Sequence, residues 1–151
     1  MPFPVFDSQG DLPVGIHQAT FGEVLARFGH GAQQRELVTA RLQRIYDLVC
    51  ATGKVLRFVL FGSHVTAKPD PNDVDIILIM RDDFKEEDFT EDVMPVFNHL
   101  RTHDELGASV FWTRPESVLL ETVDEFIAHW QITRDRTQRG IVEIMMEKRD
   151  D

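Results

Sequence analysis

Phe58-Val-Leu-Phe-Gly-Ser-His-Val-Thr-Ala-Lys-Pro-Asp-Pro-Asn-Asp-Val-Asp-Ile-Ile-Leu-Ile-Met80 is the stretch whose reading decides the fold. Two apolar runs, Val55–Phe61 and Val74–Met80, read as strands joined by a polar, proline-bearing loop. Strand residues alternate between faces, so Asp73 and Asp75 share one face while Val74 and Ile76 take the other. Two carboxylates about 6.5–7 Å apart along a strand can converge on one divalent cation or bracket a pair. Mg²⁺ is the expected ion, because it takes one or two carboxylates and completes its shell with water and substrate phosphates. Gly62 allows a positive φ or a close backbone approach, and Ser63 adds a hydroxyl and an N–H for a phosphate oxygen. The run Ile76-Ile-Leu-Ile79 is apolar on both faces, as in an interior strand covered on each side.

In these residues the chain resembles the nucleotidyltransferase superfamily, which includes DNA polymerase beta and the minimal nucleotidyltransferases. The shared pattern is a hydrophobic residue, Gly and Gly or Ser, a spacer, then acid–hydrophobic–acid–hydrophobic. Phe61-Gly62-Ser63 and Asp73-Val74-Asp75-Ile76 match every term. The chain is also similar to a group of small, largely uncharacterised bacterial nucleotidyltransferase-like proteins. The stretches that carry this second resemblance are Leu12 to His17, Gly62 to Pro69 and Asp135 to Ile144. The resemblance implies transfer of a nucleoside monophosphate from a nucleoside triphosphate to a hydroxyl of a protein, an RNA end or a small molecule. Asp73 and Asp75 would hold Mg²⁺, Gly62 and Ser63 the phosphates, and Lys68 would assist as a mobile charge.

One departure matters for chemistry. Active members carry a third carboxylate on a later strand, able to bind metal or take the acceptor's proton. The corresponding strand here, Ala108-Ser-Val-Phe-Trp-Thr113, contains no acid, and Ser109 stands where the acid is expected. Asp104 and Glu105 precede it and are the nearest candidates to substitute. The alternative expectation is therefore a catalytically inactive binding or regulatory subunit, antitoxin-like or otherwise the partner of an effector.

A chain of 151 residues, 42% hydrophobic and 28% charged, is expected to form one domain with a real core. No apolar run is long enough to span a bilayer, and the start lacks a basic signal-type region, so a cytoplasmic protein is expected. The single cysteine, Cys50, excludes an internal disulfide and reads as a buried, inert thiol. A net charge of −10 argues against broad nucleic-acid affinity and suits a metal-bound nucleotide or a basic protein partner.

Residues 1–19 read as an irregular arm, 20–146 as a single domain and 147–151 as a frayed tail. Thr20-Phe-Gly-Glu23 is a capping box opening a short amphipathic helix that Gly29 and Gly31 end. A longer helix is predicted from Gln33 to Thr52, with Val38, Leu42, Ile45, Tyr46 and Val49 inward and Arg35, Arg41 and Arg44 toward solvent. After the acid-rich segment 81–92, Asp92 is expected to cap a helix whose buried stripe is Val93, Val96, Phe97 and Leu100. Pro115 opens a further helix with Leu119, Val123, Phe126, Ile127 and Trp130 on its apolar face, and Ile141 to Met146 is a last strand. Arg134, Arg136 and Arg139 make the one local basic cluster and read as a surface turn; the six histidines lack zinc-type spacing. The predicted class is α+β, a small mixed sheet packed by helices, in the order found in the minimal nucleotidyltransferase core.

Overall fold

In the computed structural model, strand β3 (Asp75–Met80) lies inside a five-stranded mixed sheet. The structure describes residues 3–85, 87, 89–133 and 136–146. The sheet order is β1-β5-β2-β3-β4, with β1 Ile16–Ala19, β2 Val55–Phe61, β4 Ser109–Thr113 and β5 Ile141–Ile144. β2 runs antiparallel to both β3 and β5, whereas the outer pairs β1–β5 and β3–β4 are parallel. The architecture is α+β, as the strand and helix periods predict.

Alternation along the strands divides the sheet into two packed faces. Phe58 and Leu60 of β2, Ile76, Leu78 and Met80 of β3, and Val142 and Ile144 of β5 join the larger core. Helix α2 (Gln33–Ala51) contributes Val38, Leu42, Ile45 and Val49 to that core, and α1 (Phe21–Phe28) contributes Val24 and Phe28. The opposite face carries Val59, Ile77, Ile79 and Ile141, covered by Ile127 of α5 (Val123–Ala128). Ile76 through Met80 are all fully buried, which is the interior strand that unbroken apolar character signals. Full burial of each such side chain contributes on the order of 1.5–3 kcal/mol, so this strand is a major source of cohesion in the sheet.

Local chemistry sets the helix boundaries. At α1 the Thr20 hydroxyl accepts from Glu23 N at 3.1 Å while Glu23 Oε1 accepts from Thr20 N at 2.9 Å, the capping box read from the sequence. The same device opens α5, where Thr122 and Glu125 cap each other.

Several elements differ from the sequence reading. Within the segment expected as an irregular arm, Ile16–Ala19 forms β1 against β5, and Phe3 and Leu12 are buried in the larger core. The helix expected from Asp92 is broken into α3 (Met94–Phe97), α4 (His99–Arg101) and a π turn (Thr102–Leu106). Asn98 leaves helical geometry, and its Oδ1 accepts from Arg101 N at 3.1 Å, so it ends one turn and caps the next. Asp92 is not the cap; Val93 holds that position without a side-chain bond, and Leu100 is 76% exposed rather than part of the stripe. Pro115 opens only a 3₁₀ turn, Pro115–Ser117. Leu119 and Leu120 are solvent-exposed, and Leu120 has a φ of 68°, so the apolar face begins at Val123. Cys50 is only partly buried. Glu86, Asp88, Arg134, Asp135 and residues 147–151 lie outside the described residues, as does the side chain of His99. Of the predicted basic cluster, Arg136 is exposed and Arg139 lies 3.5 Å from Asp11.

Arg57 links the second face to its helix. Its guanidinium donates from Nε and Nη2 to the Glu143 carboxylate at 2.9 and 2.6 Å and also bonds Asp124 of α5. These carboxylates, Glu143 foremost, raise the Arg57 pKa above its ordinary value. Glu143 retains only 11% side-chain exposure, so removing its partner strands a charge. Arg57→Met should lower unfolding free energy by about 3 kcal/mol in urea denaturation. Lys54→Met, which breaks the exposed pair with Asp83, should leave the urea midpoint almost unchanged, since solvent screens such a pair.

Candidate functional site

The loop between β2 and β3 takes its shape from a buried cation. Arg35, in the first turn of α2, is 5% exposed. Its Nη1 donates to the carbonyls of Phe28 (3.2 Å) and His64 (2.6 Å), and its Nη2 to those of Thr66 (3.0 Å) and Lys68. Burial, followed by the nearby Arg27 charge, lowers the Arg35 pKa from its usual value. The expectation that Arg35 faces solvent is therefore corrected. Arg35, Val38, Leu42, Ile45 and Val49 fall on one helical stripe, and the stripe carries the arginine inward. Gln34 supports the far side of the loop, donating from Nε2 to Pro71 O at 3.2 Å.

Beneath the loop, His64 is fully buried against Phe28 and Thr39. The Thr39 hydroxyl donates to Arg35 O at 2.8 Å, so His64 Nε2–H donates to Thr39 Oγ1 at 2.9 Å. That tautomer leaves Nδ1 as a lone pair with no partner. Burial, with Arg35 as the second cause, pushes the His64 pKa down to about 4.

Gly62 connects this loop to the carboxylates. Its φ of 82° and ψ of −165° belong to a region essentially reserved for glycine. A Cβ at this position would lie 2.0 Å from Asp75 Oδ2. Both conformation and space therefore demand the bare Cα. Ser63 begins the 3₁₀ turn Ser63–Val65, and its carbonyl accepts from Thr66 N and Oγ1.

Asp75 opens β3 and is paired in register with Phe61 on one side and Ser109 on the other. Asp73 lies two residues upstream, where Ser109 N still donates to Val74 O at 3.0 Å. Because Val74 is buried in the larger core, its two neighbours turn to the opposite face. Ser109 Oγ–H donates to Asp73 Oδ2 at 3.2 Å. The structure thus brings together Gly62, Asp73, Asp75 and Ser109, with Ser63 next in chain. Lys68 differs: its carbonyl is tied to Arg35, while its side chain stands exposed at the loop's outer end. Asp104 and Glu105 are engaged elsewhere, by His103 and Arg101 respectively. Among the described residues no third His, Cys, Asp or Glu joins the aspartate pair as a metal-holding group.

Sequence reasoning missed Arg35, His64 and Thr39. The helical period of α2 was the available signal for Arg35 and Thr39; nothing local distinguishes His64 from a loop residue. Also missed were the rings beside the carboxylates. Phe61, Phe111 and Trp130 lie with centroids 4.9–6.4 Å apart on the same face as Asp75.

With this geometry in view, comparison with protein families matches residues 4–145, from before β1 to past β5. The chain belongs to DUF6932, a family of unknown function. The DUF6932 match includes the loop, both aspartates and Ser109. No curated protein and no solved structure matches the chain.

Arg35→Lys keeps a charge but loses the planar fork that reaches carbonyls on two sides. Amide exchange at Val65–Lys68 should accelerate about tenfold or more, with the interior of α2 unchanged, in hydrogen-exchange mass spectrometry. His64 gives a second test. The folded pKa of about 4 lies below the ordinary 6.5, so between these values the unfolded chain binds a proton that the folded one refuses. The resulting stability is intact above pH 6.5 and falls as pH drops toward 4, by about 1.4 kcal/mol per pH unit. In His64→Gln, urea unfolding across that window should lose this slope.

Proposed function

We propose that this protein binds a nucleoside triphosphate with Mg²⁺ at Gly62, Ser63, Asp73 and Asp75, and that it acts on it as a nucleotidyltransferase-type protein. The observation carrying the reading is the packing of Gly62 against Asp75. A glycine in a conformation reserved for glycine sits directly on a strand-borne carboxylate, and the Gly-Ser turn and both aspartates meet at one end of β2 and β3. Glycine's absent side chain lets the Asp75 carboxylate lie directly against the backbone of the Gly-Ser turn.

The residues fit Mg²⁺. Two carboxylates on one face match its usual protein contribution, with water and phosphate oxygens left to complete the shell. When bound, Mg²⁺ supplies neutralisation of the charge on the transferring phosphate. The chain's own groups do the rest: Ser63 N–H and Oγ–H donate to phosphate oxygens, and Asp73 is oriented by Ser109. In transfer, the acceptor oxygen forms a bond to the α-phosphorus, the bond to the bridging oxygen breaks, and pyrophosphate leaves with the electron pair. The acceptor's proton must pass to a base. Ser109 stands beside Asp73 but cannot serve, because a neutral hydroxyl is too weak a base to hold that proton.

That last observation favours a second reading, a nucleotide-binding subunit with little or no turnover. Its net charge of −10 suits a basic protein partner.

Calorimetry with Mg²⁺–ATP should show binding that Asp75→Asn abolishes at unchanged thermal stability; retained affinity in that variant would overturn the site. If transfer is limited by the missing base, Ser109→Asp should raise turnover by about 100-fold, measured as pyrophosphate release. A variant that binds equally well and releases no more pyrophosphate would favour the binding-subunit reading.

A further inference from the structure

The second face of the sheet is not uniformly sealed. Val59, Ile77 and Ile79 are fully buried, but the aromatic group at the carboxylate end is only partly covered. Phe61 and Trp130 are only partly buried, and Phe111 keeps 39% of its surface exposed. Three part-exposed rings thus stand at the same end of the sheet as the two acids.

Register fixes where the rings stand. Phe61 is the partner of Asp75 on β2, and Phe111 is the partner of Ile77 on β4, one pleat repeat beyond Ser109. Trp130 packs on both, 4.9 Å from Phe61 and 5.0 Å from Phe111 between centroids. It therefore bridges the strands flanking β3. The three rings form a wall immediately beside Asp75, and the exposed part of that wall lies about 6.5–7 Å along the sheet from the carboxylate row.

We infer that this wall is a seat for the nucleobase, so that the ligand of the carboxylate site is recognised as a nucleotide and not merely as a polyphosphate. The inference rests on the proposed Mg²⁺–nucleotide site and adds the part of the ligand that site would not read. Phosphates held at Gly62 and Ser63 leave the sugar to cross the interval to the rings, where the base meets an apolar, π-rich surface. Bases stack on aromatic side chains with little regard to sequence, since every base offers a π face. Among the described residues the three rings offer π faces and a single indole N–H, so the wall discriminates base from no base rather than one base from another.

The test compares Mg²⁺–ATP, Mg²⁺–CTP and Mg²⁺–tripolyphosphate by calorimetry, on wild type, Phe111→Leu and Trp130→Leu. Wild type should bind both nucleotides about 5- to 100-fold more tightly than tripolyphosphate. Phe111→Leu should bring the nucleotides toward the tripolyphosphate affinity and leave tripolyphosphate itself unchanged. Phe111 is part-exposed, so this variant should fold; thermal melting checks it, and Trp130→Leu provides an independent removal of the same surface. Equal wild-type affinity for nucleotides and tripolyphosphate, or a preference that survives both substitutions, would overturn the seat while leaving the phosphate site standing. Absence of binding by all three ligands would overturn the site and the seat together.

Discussion

The structure around the β2–β3 loop depends on one guanidinium held by backbone carbonyls. A buried cation without compensation is costly, and Arg35 meets that cost with oxygen dipoles drawn from α1's end and from alternate residues of the loop. Carbonyls bound in this way cannot reorient independently. The loop therefore behaves as a rigid collar on the first turn of α2, and the turn at Gly62 inherits that rigidity. The unpartnered His64 Nδ1 is the local price of this arrangement: the collar is completed around a ring with one nitrogen unserved.

The two faces of the sheet have separated tasks. The face under α1 and α2 is closed, and its job is cohesion. Among the described residues the other face is closed toward α5, where Arg57, Glu143 and Asp124 lock helix to sheet. Toward the opposite end that same face carries Asp73, Asp75, Ser109 and the aromatic group. β3 is the element both tasks share: its even residues are core, its odd residues run from buried isoleucines to a carboxylate. The proposed site is thus mounted at the start of a strand whose next residues, Ile76 to Met80, are fully buried, which suits a site that must hold two like charges in place.

The parts legible in the sequence were those in which a short-range rule and the tertiary outcome agree. The capping box at Thr20, the unbroken apolar run of β3 and the glycine before Ser63 each have one physical solution, and the structure adopts it. The bringing together of Gly62, Asp75, Asp73 and Ser109 follows from strand alternation once β3 and β4 are neighbours. What escaped was decided by partners far away in sequence. Arg35 looked like a solvent residue because charge was weighed above its place on the stripe of Val38 and Leu42. β1 has only Ile-His-Gln-Ala to declare itself and exists because β5 offers an edge. Asn98 splits a helix whose apolar period continues through it, since its side chain serves Arg101 N better than a continuing helix would. The aromatic group spans β2, β4 and the turn after α5, and no local pattern connects three such rings.

The pairing of β1 with β5 also governs when the molecule can be finished. Ile16 is in register with Ile141, so an early segment of the chain waits for nearly the last. β5 is also the neighbour of β2, and until it arrives that strand's edge is open and apolar residues such as Phe58 and Leu60 lack part of their cover. During synthesis the motif strands emerge well before the strand that shields them. Long-range pairings of this kind slow folding and prolong exposure of sticky edges. A truncation before Ile141 would therefore produce a chain that retains every proposed binding residue and still fails through self-association.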